Sequence, residues 1–420
     1  MNNTTPQSVS ALELLAPAGG QSQLEAALRF GADAVYLACD RFGMRQRAEN
    51  FSLSDVPAAV QLAHGQGAAV HVTLNTLMDA HDIEALPSYL EALAEAKVDA
   101  FIVSDLGAFT LAQQYAPKVA LHVSTQASVA NAAAARRWHD MGASRVVCAR
   151  EMSLDDIATM RANTPSSLEI EAFAHGAMCV AVSGRCLLSA AMTGRSGNKG
   201  HCSQSCRWSY ALVEEQRPGQ YFPVEEDTRG TYVFNAQDLC MINHLDDLAA
   251  AGVSSVKLEG RNKKAFYVAT VVHAYRSVLD GASPESVYDD LRAISHRPYG
   301  TGFYYGQPNQ TPERDGYVKE CLHVATVDAS EPLDDGRWAV RAHCHNRFCE
   351  GEALEVLSPK RPIGRIEVND LWWLPDPDKD GHVPAPEKVE VANRSMASYR
   401  FCSETALHEG DFLRVRLPQE

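Results

Sequence analysis

Residues 12–39, LELLAPAGGQSQLEAALRFGADAVYLAC, read as strand, helix, strand. The apolar segment 12–19 is too short for a core helix and is closed by two glycines. The stretch from Gln21 then repeats apolar residues at helical spacing up to Gly31, the expected stop before the next short apolar run at 34–39. The same unit recurs along the chain. Further strand candidates are AVHVTLN (69–75), AFIVSD (100–105), ALHVSTQ (120–126), RVVCARE (145–151), LEIEAFAHG (168–176) and SVKLEGR (255–261). Amphipathic helical patterns such as IEALPSYLEALAEAKV and NAAAARRWHDMGA lie between most of them. Eight strand–helix units are the count of a (β/α)8 TIM-like barrel. ELLAPAGG is not a GxGxxG phosphate loop, so a dinucleotide-binding sheet lacks its motif.

The seventh unit is interrupted. About eighty residues separate LEIEAFAHG from the eighth strand, a long excursion at the end of a barrel strand where active sites are built. The eighth helix, AFYVATVVHAYRSVLDG, closes the barrel. From Cys321 the period changes to short alternating segments between Gly, Asp and Pro turns, as in WAVRAHC and FLRVRL. The expected organisation is therefore a barrel over 1–306 with an insertion at about 177–254, followed by a small antiparallel β-barrel over 307–420.

At 420 residues, 45% apolar and 22% charged, the chain has the composition of a soluble globular protein. No basic stretch precedes an apolar run at the N-terminus, and no apolar run approaches a membrane span, so the expected location is the cytoplasm, away from membranes. There, clustered cysteines are metal ligands or catalytic thiols before they are disulfides. The formal charge of −15 excludes a generic nucleic-acid coat. Yet Ala172 to Val213 holds no Asp or Glu, while Arg185, Arg195, Lys199 and Arg207 fall inside it. This positive island suits an anionic substrate or a phosphate backbone.

Within it the cysteines run Cys179-x6-Cys186-x15-Cys202-x3-Cys206. Structural zinc favours two close Cys pairs, and only the second pair here is close. Ferredoxin spacings do not match either. Spacing alone leaves iron–sulfur and zinc level, with Cys240 in FNAQDLCMI as a rival fourth ligand. No HExxH or GxSxG is present, and a Cys179–His175 dyad is a poor fit for a segment of clustered thiols.

Polar residues at the ends of barrel strands face the site. They include Asn75, Asp105, Gln126, Arg150, Glu151, His175, Lys257, Glu259 and Arg261, with Arg45 following the second strand. His175, Glu259 and Arg261 are the expected catalytic groups. Arg45, Asn75, Gln126, Arg150 and Lys257 would bind a small carboxylate-bearing molecule, and Arg185, Arg195, Lys199 and Arg207 would bind phosphate.

EAFAHGAMCVAVSGRCLLS (171–189) resembles the signature of the collagenase-like peptidase family of unassigned catalytic type. The likeness extends through ELLAPAG, GADAVYL, HVSTQASVAN, NKGHCSQSCRW, RPGQYFPVEED, GTYVFNAQDLCMI and VKLEGRNKKAFYVA, over roughly residues 12–306. The family's name implies proteolysis, but several of its members are dioxygen-independent hydroxylases acting on tRNA wobble uridine, 23S rRNA cytidine or a ubiquinone precursor. The stretches around Cys202 and Arg217 are most similar to the tRNA-acting branch. The resemblance implies a 4Fe-4S cluster on Cys179, Cys186 and Cys202, with Cys206 or Cys240 as the fourth ligand and Cys206 preferred. It also implies prephenate as a co-substrate, tRNA as the partner and 5-hydroxyuridine as the product. A metal-dependent collagenase-type peptidase is the rival reading.

Overall fold

The computed structural model describes residues 8–44, 49–177, 186–205, 208, 211–213, 221–223, 237–306, 317–377, 379 and 382–418. They form two compact units: residues 1–286 with 296–317, and residues 287–295 with 318–420.

The first unit is a closed barrel of eight parallel strands: β1 (Glu13–Ala18), β2 (Ala34–Leu37), β3 (Ala69–Leu74), β4 (Ala100–Val103), β5 (Ala120–Val123), β6 (Arg145–Val147), β7 (Glu169–Ala177) and β8 (Ser255–Leu258). Neighbours pair in chain order, and β8 pairs with both β1 and β7, which closes the ring. The opening stretch folds as read: β1, the helix Gln21–Arg29, then β2, with Gly31 at φ +99° in the turn. Helix starts are set by local side chains. Asp79 and Asp82 form a capping box at the helix Ala80–Glu95, and Ser153 and Asp156 form another at Leu154–Ala162. A short strand, Asp238–Cys240, runs antiparallel to the end of β7 and was not foreseen from the sequence.

The lower interior of the barrel is ionic. The Arg145 guanidinium reaches Glu13 at 2.6 Å, Glu169 at 2.8 Å and Glu171 at 3.0 Å. Lys257 reaches the other oxygen of Glu171 at 2.8 Å, and Ser255 Oγ donates to Glu13. Burial alone would raise the Glu13 and Glu171 carboxyls. Arg145 for Glu13, and Lys257 with Arg145 for Glu171, hold both below the usual range instead. His71 and His122 sit edge to face at 4.8 Å; burial pushes His71 down to about 4 and His122 well below its ordinary value, so both are neutral.

The second unit is an antiparallel sheet of eight strands that curls on itself. Its longer strands are β9 (Cys321–Pro332), β10 (Trp338–Cys344), β11 (Ala353–Leu357), β12 (Gly364–Glu367), β13 (Asn369–Leu374), β14 (Ser398–Ser403) and β15 (Phe412–Arg416). The order is β12-β11-β15-β9-β10-β14-β13, ending on the two-residue strand Glu387–Lys388. Register shifts in β9 on both sides of Ala325 supply the bend. Val324, Val340, Phe348, Leu354, Tyr399, Phe401 and Leu413 fill the concave side. Within this unit Arg414 is fully buried and paired with Glu355 at 2.8 Å and Asp290 at 2.6 Å.

Two outcomes follow from the ionic barrel floor. Arg145→Met strands buried carboxylates and should cost about 3–5 kcal/mol in urea unfolding, as removal of one partner of a buried ion pair does. Acid should act in two stages. The His71 imidazole, which titrates at 6.5 when free and near 4 when folded, takes up a proton on unfolding, so stability falls as pH drops from 6.5 toward 4. The depressed carboxylates contribute stability that is complete above 4.5 and is lost below it. A urea midpoint that stays flat between pH 7 and pH 5 would contradict this account.

Candidate active site

A cavity opens at the carboxyl ends of the strands, lined by Tyr36, Met44, Thr73, Asn75, Ile102, Ser124, Thr125, Gln126, Val147, Arg150, Phe173, Lys257, Glu259 and Arg261. Six of the residues expected from strand ends thus meet around one space: Asn75, Gln126, Arg150, Lys257, Glu259 and Arg261. Tyr36, Thr73, Ser124 and Phe173 were not foreseen. Thr73 and Ser124 stand two positions before Asn75 and Gln126, and strand alternation was the signal that could have found them.

Charge in the cavity is unbalanced. Arg150, Lys257 and Arg261 contribute three cations, against Glu259 as the single carboxylate among the described lining residues. The Lys257 ammonium is held from below by Glu171 and lies 4.3 Å from the centre of the Tyr36 ring. Burial lowers its pKa, with Glu171 opposing. The Arg150 guanidinium lies 4.3 Å over Phe173. Arg261 is buried and donates to the Met44 carbonyl. The Tyr36 hydroxyl donates to the Leu258 carbonyl at 2.9 Å and to the Glu259 carboxylate at 3.4 Å. Asn75 accepts from the Met44 amide at 3.2 Å and donates to Ser124 Oγ at 3.3 Å, fixing the opposite wall. The Thr73 hydroxyl, 2% exposed, has no hydrogen-bond partner among the described residues. A cationic cavity with a partly unsatisfied polar wall suits a small anion that also carries hydrogen-bonding groups.

The segment Glu259–Arg261 is held between two glycines. A Cβ on Gly19 would fall 1.9 Å from the Arg261 carbonyl oxygen, and one on Gly176 would fall 2.5 Å from that of Glu259. Gly176 also has φ +103°, which a side chain disfavours.

His175 is not in the cavity. Between Phe173 and His175 the pairing of β7 with β8 shifts register, two residues of β7 advancing against one of β8. The shift breaks the alternation that would have aimed His175 inward. Its ring lies among Tyr267, Tyr275 and Tyr299, with centroids 5.3–6.2 Å away. Burial, with His296 and Lys263, pushes it down to about 3, so it is a neutral imidazole here. Asp105 likewise serves a local purpose, accepting the Ala108 amide as the cap of the helix Leu106–Tyr115.

Cys186 and Cys202 are half-buried in the excursion. The Gln204 amide donates to Cys202 Sγ at 3.3 Å. Cys240 is buried in the strand paired with β7, and burial pushes its thiol up to about 11. Cys179, Cys206, Arg45, Arg185 and Arg207 lie outside the described residues, and among those described no group of three metal-ligating side chains converges. Lys199 is not a free phosphate ligand: it pairs with Asp79 at 2.5 Å and Asp82 at 3.5 Å. Arg195, also in the excursion, is half-buried and makes no ion pair among the described residues. The excursion is tied to the barrel again where the Leu77 amide donates to the Asn198 carbonyl.

The model of peptidase family U32 matches residues 19–314. The chain belongs to that family. Among its U32 relatives, tRNA hydroxylation protein P1 of Bacillus subtilis is 32% identical over 410 residues, covering 96% of this chain and 94% of that one. The 23S rRNA 5-hydroxycytidine C2501 synthase of Escherichia coli is 39% identical over 286 residues, 68% of this chain and 42% of that one. A protein named collagenase from Porphyromonas gingivalis is 33% identical over 318 residues, 71% of this chain and 75% of that one. No described helix is long and apolar enough to cross a membrane.

Gly176→Ala should cost about 1–3 kcal/mol in urea unfolding, because it forces a strained backbone against the Glu259 carbonyl. Equal midpoints for variant and parent would remove the glycine clamp from this account.

Proposed function

We propose that this U32 protein hydroxylates RNA without dioxygen, converting the wobble uridine of tRNA to 5-hydroxyuridine. The observation that carries the reading is the cavity: three cations, one carboxylate, and no cysteine or histidine among its described lining residues. That composition supports binding of a carboxylate-bearing co-substrate, assigned here to prephenate, and offers no thiol–imidazole pair for peptide cleavage. Near-complete coverage by relatives named for tRNA hydroxylation supports tRNA over the rRNA and peptidase alternatives, whose namesakes match 68% and 71% of the chain.

In this reading Arg150 and Arg261 bind the co-substrate's carboxylate, and Lys257, anchored by Glu171, adds a third positive contact. Thr73 and Asn75 orient its polar groups. Glu259, hydrogen-bonded by Tyr36, is the carboxylate within reach to take up a proton. Cys179, Cys186, Cys202 and Cys206 would hold a 4Fe-4S cluster. The amide donated to Cys202 Sγ suits a thiolate ligand, and Cys240 is the alternative fourth ligand to Cys206. A bound cluster supplies the redox chemistry that no side chain here provides.

Anaerobically purified protein should be brown, with about four irons and matching sulfide per chain, and Cys202→Ala should lose most of that iron. Colourless protein containing zinc would end the cluster assignment. Mass spectrometry of tRNA nucleosides, in a strain without a second hydroxylase, should show 5-hydroxyuridine derivatives lost on deletion and restored by the parent gene. Arg150→Gln should restore less than a tenth of them, the scale of losing a charge-assisted contact of about 1.5–3 kcal/mol. Unchanged nucleosides in the deletion strain, alongside cleavage of gelatin by the purified protein, would favour the peptidase.

A further inference from the structure

The sheet of the second unit carries a row of cationic and aromatic side chains on the face away from its apolar core. Trp372 on β13 stands opposite Arg400 on β14, and Arg400 stands opposite Arg341 on β10. The neighbouring positions Val340, Ala342, Tyr399, Phe401 and Leu371 are buried, so strand alternation turns Arg341, Arg400 and Trp372 to the other face. Both arginines are exposed, and neither makes an ion pair among the described residues. The Arg400 guanidinium lies 5.5 Å from the centre of the Trp372 ring.

This arrangement is costly to the fold. Like charges directly opposite on paired strands repel, and the chain has 53 acidic residues from which a neutralising neighbour could have come. The position facing Arg341 on β9 is Ala329 instead. Of the nearby carboxylates, Asp328 pairs with His343 at 2.7 Å, and Asp370 pairs with Lys388 at 3.0 Å, with Arg400 adding a weaker attraction. Two guanidiniums that make no ion pair among the described residues, and an indole, therefore lie in line across adjacent strands, about 10 Å from end to end at ordinary strand spacing. Phosphate takes paired N–H donors from a guanidinium, and an unpaired base stacks on an indole. An acidic peptide would use the arginines but offer no ring to stack on the indole.

We propose that this face docks single-stranded RNA of the substrate, with phosphates on Arg341 and Arg400 and a base on Trp372. The proposal rests on the RNA reading of the barrel and adds a second contact region, remote in sequence from the cysteine excursion.

The test is fluorescence anisotropy of an unmodified tRNA transcript with the full chain over a salt series. Arg341→Gln/Arg400→Gln should bind roughly tenfold more weakly and flatten the slope of log K against log salt by about 1.5–2. Its melting temperature should be no lower than the parent's. Arg341→Lys/Arg400→Lys should keep the parental slope. Trp372→Ala should weaken binding about tenfold with the slope unchanged, as loss of one stacked base does. If the parent binds tRNA and neither the lysine pair nor the other variants differ from it, this face is not the dock, while the RNA reading of the barrel stands. If the parent binds no RNA, both fail together. Displacement of tRNA by polyglutamate more readily than by oligouridylate of equal charge would assign the face to an acidic peptide and overturn the proposal.

Discussion

The Glu13–Arg145–Glu171–Lys257 network is the constraint on which the barrel and its cavity depend. It joins β1, β6, β7 and β8, the strands on both sides of the closure, and turns an interior that could have been apolar into one that specifies which charges meet. Removing such groups from water is costly, and mutual attraction offsets that cost only when every lone pair and proton is engaged. Here both oxygens of Glu171 are used, one for each cation. Lys257 belongs to the floor and the cavity at once. Its ammonium is fixed from below before any ligand arrives from above, so the cavity's positive character needs little rearrangement to act.

Much of the fold was legible because parallel barrel strands are short apolar runs separated by amphipathic helices, and all eight lie where those runs fall. Several residues that read as strand ends proved to lie in the turns after them. AVHVTLN stops pairing at Leu74 and RVVCARE at Val147, which leaves Asn75 and Arg150 on loops at the rim. Those polar residues were legible because each follows the end of an apolar run. The interior charges were not found. Glu169 and Glu171 alternate with Ile170 and Ala172, a pattern identical to that of a strand with one solvated face, and only closure of the ring buries Glu171.

His175 and Lys199 show the limits of local pattern in different ways. A single register shift, with no mark in the residues themselves, carries His175 from the cavity into a nest of tyrosines. Lys199 belongs to an acid-free stretch of sequence, but folding brings it to Asp79 and Asp82, more than a hundred residues away along the chain. A segment's charge is not the charge of the surface it joins. Arg341 and Arg400 make the converse case: each is an unremarkable polar residue in an alternating strand until pairing sets one opposite the other.

The barrel floor also bears on how the chain is made. Ser255 and Glu13 are bonded across 242 residues of sequence. On the ribosome, β1, β6 and β7 all emerge before the strand that brings Lys257. Until then Glu171 has only Arg145 to balance it, and the open edge of β7 faces a β1 it cannot yet join through β8. Closure is therefore a late event of high contact order, and the chain spends the translation of the whole cysteine excursion with its barrel open. The ring closes only when the strand that follows the excursion has been made, with the whole second unit still to be synthesised.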